Sequence, residues 1–322
     1  MSTPTVSNSK QTGVGVRSAL EKTVDTGFIG LTLVFAVSIG LILLTIAIVI
    51  TVRAWPAIQT FGLNFLVTSA WNPVAGREQF GALPVIYGTL VSSLISLLIA
   101  VPLGIGTAIF LSENFIPLKF RTPLVFLVEL LAAIPSVVYG LWGIFVLIPL
   151  VTPIGVFLNQ NLGWIPLFST KPAGPGMLPA GIILSIMILP IITAISRDSL
   201  ASLPPELRQA SLGLGATRWE TIFRVLIPAA FSGIVGGIML ALGRAMGETM
   251  AVTMIIGNAN RLSLSLLDPA NTISSLLANQ FAEASGLQVS ALMYAALVLM
   301  ILTLIVNVAA DYIVSQVRAK YQ

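Results

Sequence analysis

The sequence predicts an all-α membrane protein of six transmembrane helices, and three observations carry that prediction. Of 322 residues, 56% are hydrophobic and only 9% charged, with a mean hydropathy of +0.99, whereas soluble domains run near a quarter charged. Six intervals contain no Asp, Glu, Lys or Arg: 26 to 52, 79 to 112, 130 to 170, 172 to 196, 225 to 243 and 284 to 310. A helix needs about 20 apolar residues to cross the hydrocarbon, and these runs are continuously apolar, without the ~10-residue alternating segments of an outer-membrane barrel.

The spans follow in order. Residues 1–27 are polar and read as an N-terminal tail. The first span, about 28–52, is roughly twice the length of a secretory h-region and is expected to stay in place as an anchor. The second, third and fourth, at 83–111, 123–150 and 177–197, contain Pro102, Pro135 and Pro190. Each proline removes a backbone hydrogen bond and tends to kink its helix, which membrane bundles tolerate where neighbours satisfy the freed groups. The fifth span, 229–257, continues past Arg244 and opens at Pro228; the sixth, 289–314, completes a domain over 28–314 and leaves 315–322 as a C-terminal tail.

Two connections have character of their own. Residues 53–82 hold Trp55, Phe61, Phe65 and Trp71, read first as an aromatic belt at the membrane interface and second as a partner contact. After the fifth span, Pro269, the candidate caps Asn271 and Thr272, and apolar positions 273, 276, 277 and 281 predict a short helix.

Orientation follows from the bias of Lys and Arg toward cytoplasmic loops. With six spans, eleven of the sixteen basic residues fall on the side of the termini and four on the other, Arg244 lying within a span. Both termini are therefore expected in the cytoplasm. The net charge of +4 reflects this topology and implies no nucleic acid, since no basic run is interleaved with aromatics. With no Cys and no His, the chain has no disulfide, no thiolate or imidazole metal site and no histidine acid–base chemistry. A P-loop needs G-x4-G-K-[ST] to wrap phosphates, and no such run exists. The chain is not expected to be an enzyme or to bind a cofactor.

The cytoplasmic loop at 198–228 stands out for its charge: LPPELRQASLGLGATRWETIFRVLIP, residues 203 to 228, carries Glu206, Arg208, Arg218, Glu220 and Arg224. Pro204-Pro205 breaks the fourth span and suits a new helix start, with Glu206 favouring its N-terminus. Leu207, Ala210, Leu212 and Leu214 give that helix an apolar side, and Gly213 and Gly215 close it. Gln209-Ala210-Ser211, then Gly215, then Val225-Leu226-Ile227-Pro228 resembles the motif EAA-x3-G-x9-I-x-L-P of ABC importer permeases. Gln209 and Ser211 depart from it, which weakens a role for the first carboxylate without threatening the helix.

The resemblance extends over most of the chain from about residue 80. FGALPVIYGTLVSSLISLLIAVPLGIGTAIFLSE (80 to 113), IPSVVYGLWGIFVLIP (134 to 149) and GRAMGETMAVTMIIGN (243 to 258) are similar to phosphate-transport permeases of the PstC type. It implies the type I ABC importer permease fold in a prokaryotic plasma (inner) membrane, and a coupling helix that places Glu206, Gln209, Ala210, Ser211, Gly215 and Pro228 against an ATP-hydrolysing subunit. It also implies a homologous permease of the PstA type, two ATP-binding subunits that use the ATP, and an external phosphate-binding protein. The GIVGG run at 233–237 is small enough for a close interface with that second permease.

Arg244 and Glu248 lie within the fifth span, where a charge costs ~3 kcal/mol on insertion scales and reads as functional by default. At i, i+4 they project from one face and can pair. One reading is an ion pair that only makes the span insertable. In the other, Arg244 offers its fork to a tetrahedral anion while Glu248 keeps that attraction weak enough for release. Glu129 reads as structural, snorkelling or accepting from a neighbouring helix. Import of another oxyanion such as sulfate or molybdate, or an ATP-independent channel or carrier, is the alternative function.

Overall fold

The computed structural model describes residues 19–321 except 75 and 114, with side chains from 24 to 316 in that range, 313 excepted. The stretch 1–18 of the expected N-terminal tail lies outside the described residues. Six helices are long and apolar enough to cross a membrane: Val24–Phe61, Leu83–Ser112, Ser136–Leu162, Met177–Ala201, Arg218–Gly247 and Leu287–Gln316.

The chain divides into two units, Met1–Val49 and Ile50–Gln322. The first holds the leading part of α1 (Ala19–Phe61), which begins within the stretch read as a tail; its described side chains are exposed nearly throughout, as a lipid-facing helix requires.

In the second unit the end of α1 is followed by α2 (Asn64–Val67) and a small antiparallel hairpin, β1 (Trp71–Asn72) on β2 (Gln79–Phe80). Here Phe65 is buried and Phe61 and Trp71 are half-buried in packing within the chain, while Trp55 stays exposed. Phe65 stacks on Tyr294 at 4.4 Å, Trp71 meets Phe80 edge-on at 5.0 Å, and the Trp71 indole donates to Gln280 Oε1 at 2.7 Å. The rings bury their apolar faces against one another while the indole N–H keeps a hydrogen bond.

The centre of the unit is α3 (Leu83–Ser112) packed along α7 (Met177–Ala201). Small residues permit the approach: Gly104 sits under Ile192 and Gly181 under Ile95, as expected where lipid removes the hydrophobic drive between helices. Thr193 donates to the Gly104 carbonyl at 3.3 Å, three residues after the α7 proline.

The third span differs from its expected form. α4 (Leu118–Ala133) ends, Ile134 and Pro135 are extended, and α5 (Ser136–Trp142) begins again. Pro135 thus breaks the span outright, because a residue before proline is pushed out of the helical region. The Tyr139 hydroxyl donates to the Leu131 carbonyl at 2.8 Å and satisfies one acceptor freed by the break. A π-helical turn at Gly143–Leu147 leads into α6 (Ile148–Leu162).

The fifth span differs at both ends. After α8 (Pro205–Gly213) and α9 (Arg218–Thr221), a π-helical turn at Ile222–Leu226 runs directly into α10 (Ile227–Gly247). Pro228 therefore lies inside a continuous helix rather than opening one. Both π turns end on the first two residues of the same run, Val-Leu-Ile-Pro, at 146–149 and 225–228. A proline ring crowds the carbonyl four residues back, and a widened turn just upstream makes room for it. At the other end α10 stops at Gly247, Glu248 is extended, and a separate α11 (Met250–Ile255) follows.

The helix expected after Pro269 is α12 (Ile273–Gln280), capped by Thr272, whose side chain accepts from the Ser275 N–H. The chain then runs through α13 (Leu287–Tyr321), which continues over most of the stretch read as the C-terminal tail.

Candidate functional site

The charged loop folds as a compact helical pair. Pro205 takes a first-turn position in α8, and Glu206 sits beside it in that turn. Closure comes from Gly215, whose φ of +87° lies in the left-handed region that glycine adopts freely. Its N–H donates to Leu212 O at 3.0 Å and Ala216 N–H donates to Ser211 O at 3.2 Å, using up carbonyls at the end of α8. Thr217 then opens α9 with a reciprocal capping box: its hydroxyl accepts from Glu220 N–H, and the Glu220 carboxylate accepts from Thr217 N–H at 2.9 Å. The hydroxyls of Ser211 and Thr221 meet at 2.9 Å and join the two short helices.

What the loop presents outward is specific. Glu206, Gln209, Ala210 and Gly215 are exposed, and Leu214 is 91% exposed at the tip. Pro228 lies thirteen residues beyond Gly215, half-buried in α10.

Sequence reasoning missed the clamp behind the loop. Arg208 donates to Glu113 Oε1 at 2.9 Å, just past the end of α3, and to the Leu200 carbonyl at 2.8 Å. Both side chains are largely shielded. Nothing local could have paired residues 95 positions apart; the sequence showed only that Glu113 ends an apolar interval and that Arg208 belongs to the charged loop. Glu129 takes its neighbour's hydrogen bond, accepting from Arg197 at 3.3 Å.

Arg244 and Glu248 are arranged otherwise than the i, i+4 spacing implied. Glu248 caps the C-terminus of α10, its N–H donating to Ala245 O, and no ion pair joins it to Arg244 among the described residues. The Glu248 carboxylate instead lies 3.4 Å from Ala251 N–H, at the start of α11, where a negative charge suits the free amides. Arg244 is exposed and lines a cavity of about 640 Å³ between α7, α10 and α13, shared with Ile191, Gly236, Asn307 and Asp311. The Asn307 Oδ1 is buried with no donor among the described residues. Asn307 and Asp311 were not singled out from sequence, although polar residues late in an apolar run carry that signal.

The GIVGG run serves two purposes. Gly233 lies against Ser199 and Gly237 against Ile195, both on α7 of the same chain, whereas Gly236 has open space and lines the Arg244 cavity.

Arg218 and Arg244 are joined by one unbroken helix, about 39 Å at 1.5 Å per residue. Six membrane-length helices, with Arg244 in a cavity at one end of this rod and an exposed helical tip at the other, have the form of a multi-pass membrane protein. Residues 100–319 match the family described as binding-protein-dependent transport system inner membrane component. A phosphate transport system permease protein PstC of Mesorhizobium japonicum is 46% identical over 95% of this chain and 96% of its own length. PstC of Haemophilus influenzae is 43% identical, over 89% and 92%. The chain belongs to this family of inner-membrane permeases, in its PstC group. Among solved structures, an alginate ABC importer covers 93% of this chain and 99% of its own at 18% identity and a TM-score of 0.52. The inward-facing MetNI methionine ABC transporter gives 0.52 at 19% identity, over 74% and 94%. Both show the type I importer permease fold.

Proposed function

We propose that this chain forms part of the translocation pathway of an ATP-driven phosphate importer and couples that pathway to a separate ATPase through residues 203–228. The observation that carries the reading is Arg244: a permanent cation in a cavity among membrane helices, sharing it with Asp311 but in an ion pair with no carboxylate among the described residues. A guanidinium fork suits the oxygens of a tetrahedral anion, and the names of the relatives point to phosphate among such anions.

The mechanism is alternating access. Both termini and the coupling loop face the cytoplasm, by the basic-residue asymmetry. Glu206, Gln209, Ala210, Ser211 and Gly215 form the face offered to an ATP-binding subunit; two such subunits, a PstA-type permease and an external phosphate-binding protein complete the complex. Nucleotide-driven closure of the ATPase pair pushes the α8–α9 tip, and the continuous helix from Arg218 carries that displacement to Arg244. Glu248, held at the start of α11, tempers the attraction from outside the arginine's own helix. Pro228 acts within the rod, where the π turn before it supplies a bending point.

The test is uptake of labelled phosphate into proteoliposomes holding the complete complex, with external binding protein and internal ATP. ATP-dependent accumulation that sulfate and molybdate do not compete away is expected. Equal competition by sulfate or molybdate would transfer the reading to another oxyanion.

A further inference from the structure

A second cavity, of about 460 Å³, lies between α3 and α4 at the end of the bundle that bears the α8–α9 loop. Its walls are Phe110 and Leu111 on one side and Leu124, Leu127, Val128 and Leu131 on the other. Thr107 contributes no free polar group, because its hydroxyl donates to the Leu103 carbonyl at 2.8 Å. No residue of α4 is buried, so this helix stands off from α3 and leaves a slot that only hydrocarbon can fill without cost.

Each wall ends in an arginine. Leu124, Leu127 and Leu131 form a stripe along α4, and Arg121, three residues before Leu124, continues it by one turn. On the α3 side Phe110 stacks toward Phe115 at 6.2 Å, and the Arg218 guanidinium lies 4.0 Å from the Phe115 ring centroid. Trp219 adds a ring 5.5 Å from Phe115 and is 56% exposed. Neither Arg121 nor Arg218 has an ion-pair partner among the described residues.

We infer that this slot is a binding site for an anionic phospholipid, with an acyl chain between α3 and α4 and the headgroup phosphate held by Arg121 and Arg218. An apolar slot with two arginines beyond its walls, neither ion-paired among the described residues, and an exposed tryptophan beside one of them is complementary to an amphiphile with a negative head. A helix of a partner protein would need a carboxylate at the same height to match both arginines. The lipid bridges α4 to the α9 end of the coupling loop and fills the space that α4 leaves open.

The experiment is native mass spectrometry of the complete, delipidated complex after adding phosphatidylglycerol or phosphatidylcholine. Preferential retention of phosphatidylglycerol is expected. Arg121→Gln with Arg218→Gln should lower its retention roughly thirtyfold, about fivefold per arginine, while Arg121→Lys with Arg218→Lys keeps most of it. Leu127→Trp, which fills the slot, should remove both lipids from the site. Millimolar inorganic phosphate should leave the lipid in place. Equal retention by the glutamine variant, displacement by inorganic phosphate, or a cross-link from Leu127→Cys to the partner permease in place of lipid would overturn the inference. None of these readouts depends on which anion is transported.

Discussion

Arg244 is the residue on which the transport reading turns, since an intramembrane guanidinium costs ~3 kcal/mol on insertion scales and here recovers none of it from Glu248. Arg244→Gln should reduce ATP-dependent phosphate uptake by roughly ten- to a hundredfold, the loss of one hydrogen bond to a charged group, with membrane insertion intact. Arg244→Lys keeps the charge without the fork and should fall between. Uptake at the native rate in both variants would remove Arg244 from the pathway. The Arg208–Glu113 clamp belongs to the same scale. Arg208→Gln leaves Glu113 shielded and unpartnered and should destabilise the complex by about 1–3 kcal/mol. The double variant with Glu113→Gln should cost less than the sum of the two single changes, as thermal unfolding in detergent would show. Arg244 was legible in sequence because a charge inside an apolar run is conspicuous. The clamp was not, because its partners are far apart in the chain: Glu113 looked like an ordinary interval end and Arg208 like one more charge of the loop.

Among the elements, the α8–α9 pair is the one that local chemistry specified almost completely. The proline pair starts it, Gly215 closes it at positive φ, and Thr217 with Glu220 opens the next turn. Replacing Gly215 by valine meets open space, so its effect is purely conformational, about 1–2 kcal/mol for a left-handed β-branched residue. Gly215→Val should therefore reshape the tip and lower uptake per ATP hydrolysed while the complex still assembles; Gly215→Asn, which tolerates this region, should behave nearly as the native chain. An unchanged ratio of uptake to hydrolysis in Gly215→Val would show that the tip's shape does not matter. The breaks at Pro135 and Glu248 were less legible. A membrane proline reads equally as a kink or a stop until its carbonyls find partners, and Tyr139 supplies one from eight residues away. At Glu248 there is no proline at all; two glycines, 243 and 247, weaken the helix, and a carboxylate set toward Ala251 N–H favours a new start.

For the whole molecule, the question is whether the two ends of the long helix can act independently. The six spans were readable from charge-free intervals alone, but what joins them was not: the hairpin at 71–80 and the aromatic packing of residues 61–80 rest on contacts with α12 and α13, more than two hundred residues later. In the coupled reading the Arg244 cavity opens only when the α8–α9 tip is moved, because one continuous helix spans both and packed helices switch between discrete arrangements rather than deforming gradually. A self-contained channel or carrier would need no push. Liposomes holding this chain and its partner permease without the ATP-binding subunits should therefore pass no phosphate down a gradient beyond the lipid background, and adding those subunits with ATP and binding protein should restore uptake. If the permeases alone carry a steady flux that Arg244→Gln abolishes, the arginine still lines the pathway but the rod does not gate it, and coupling must be sought elsewhere than along α9 and α10.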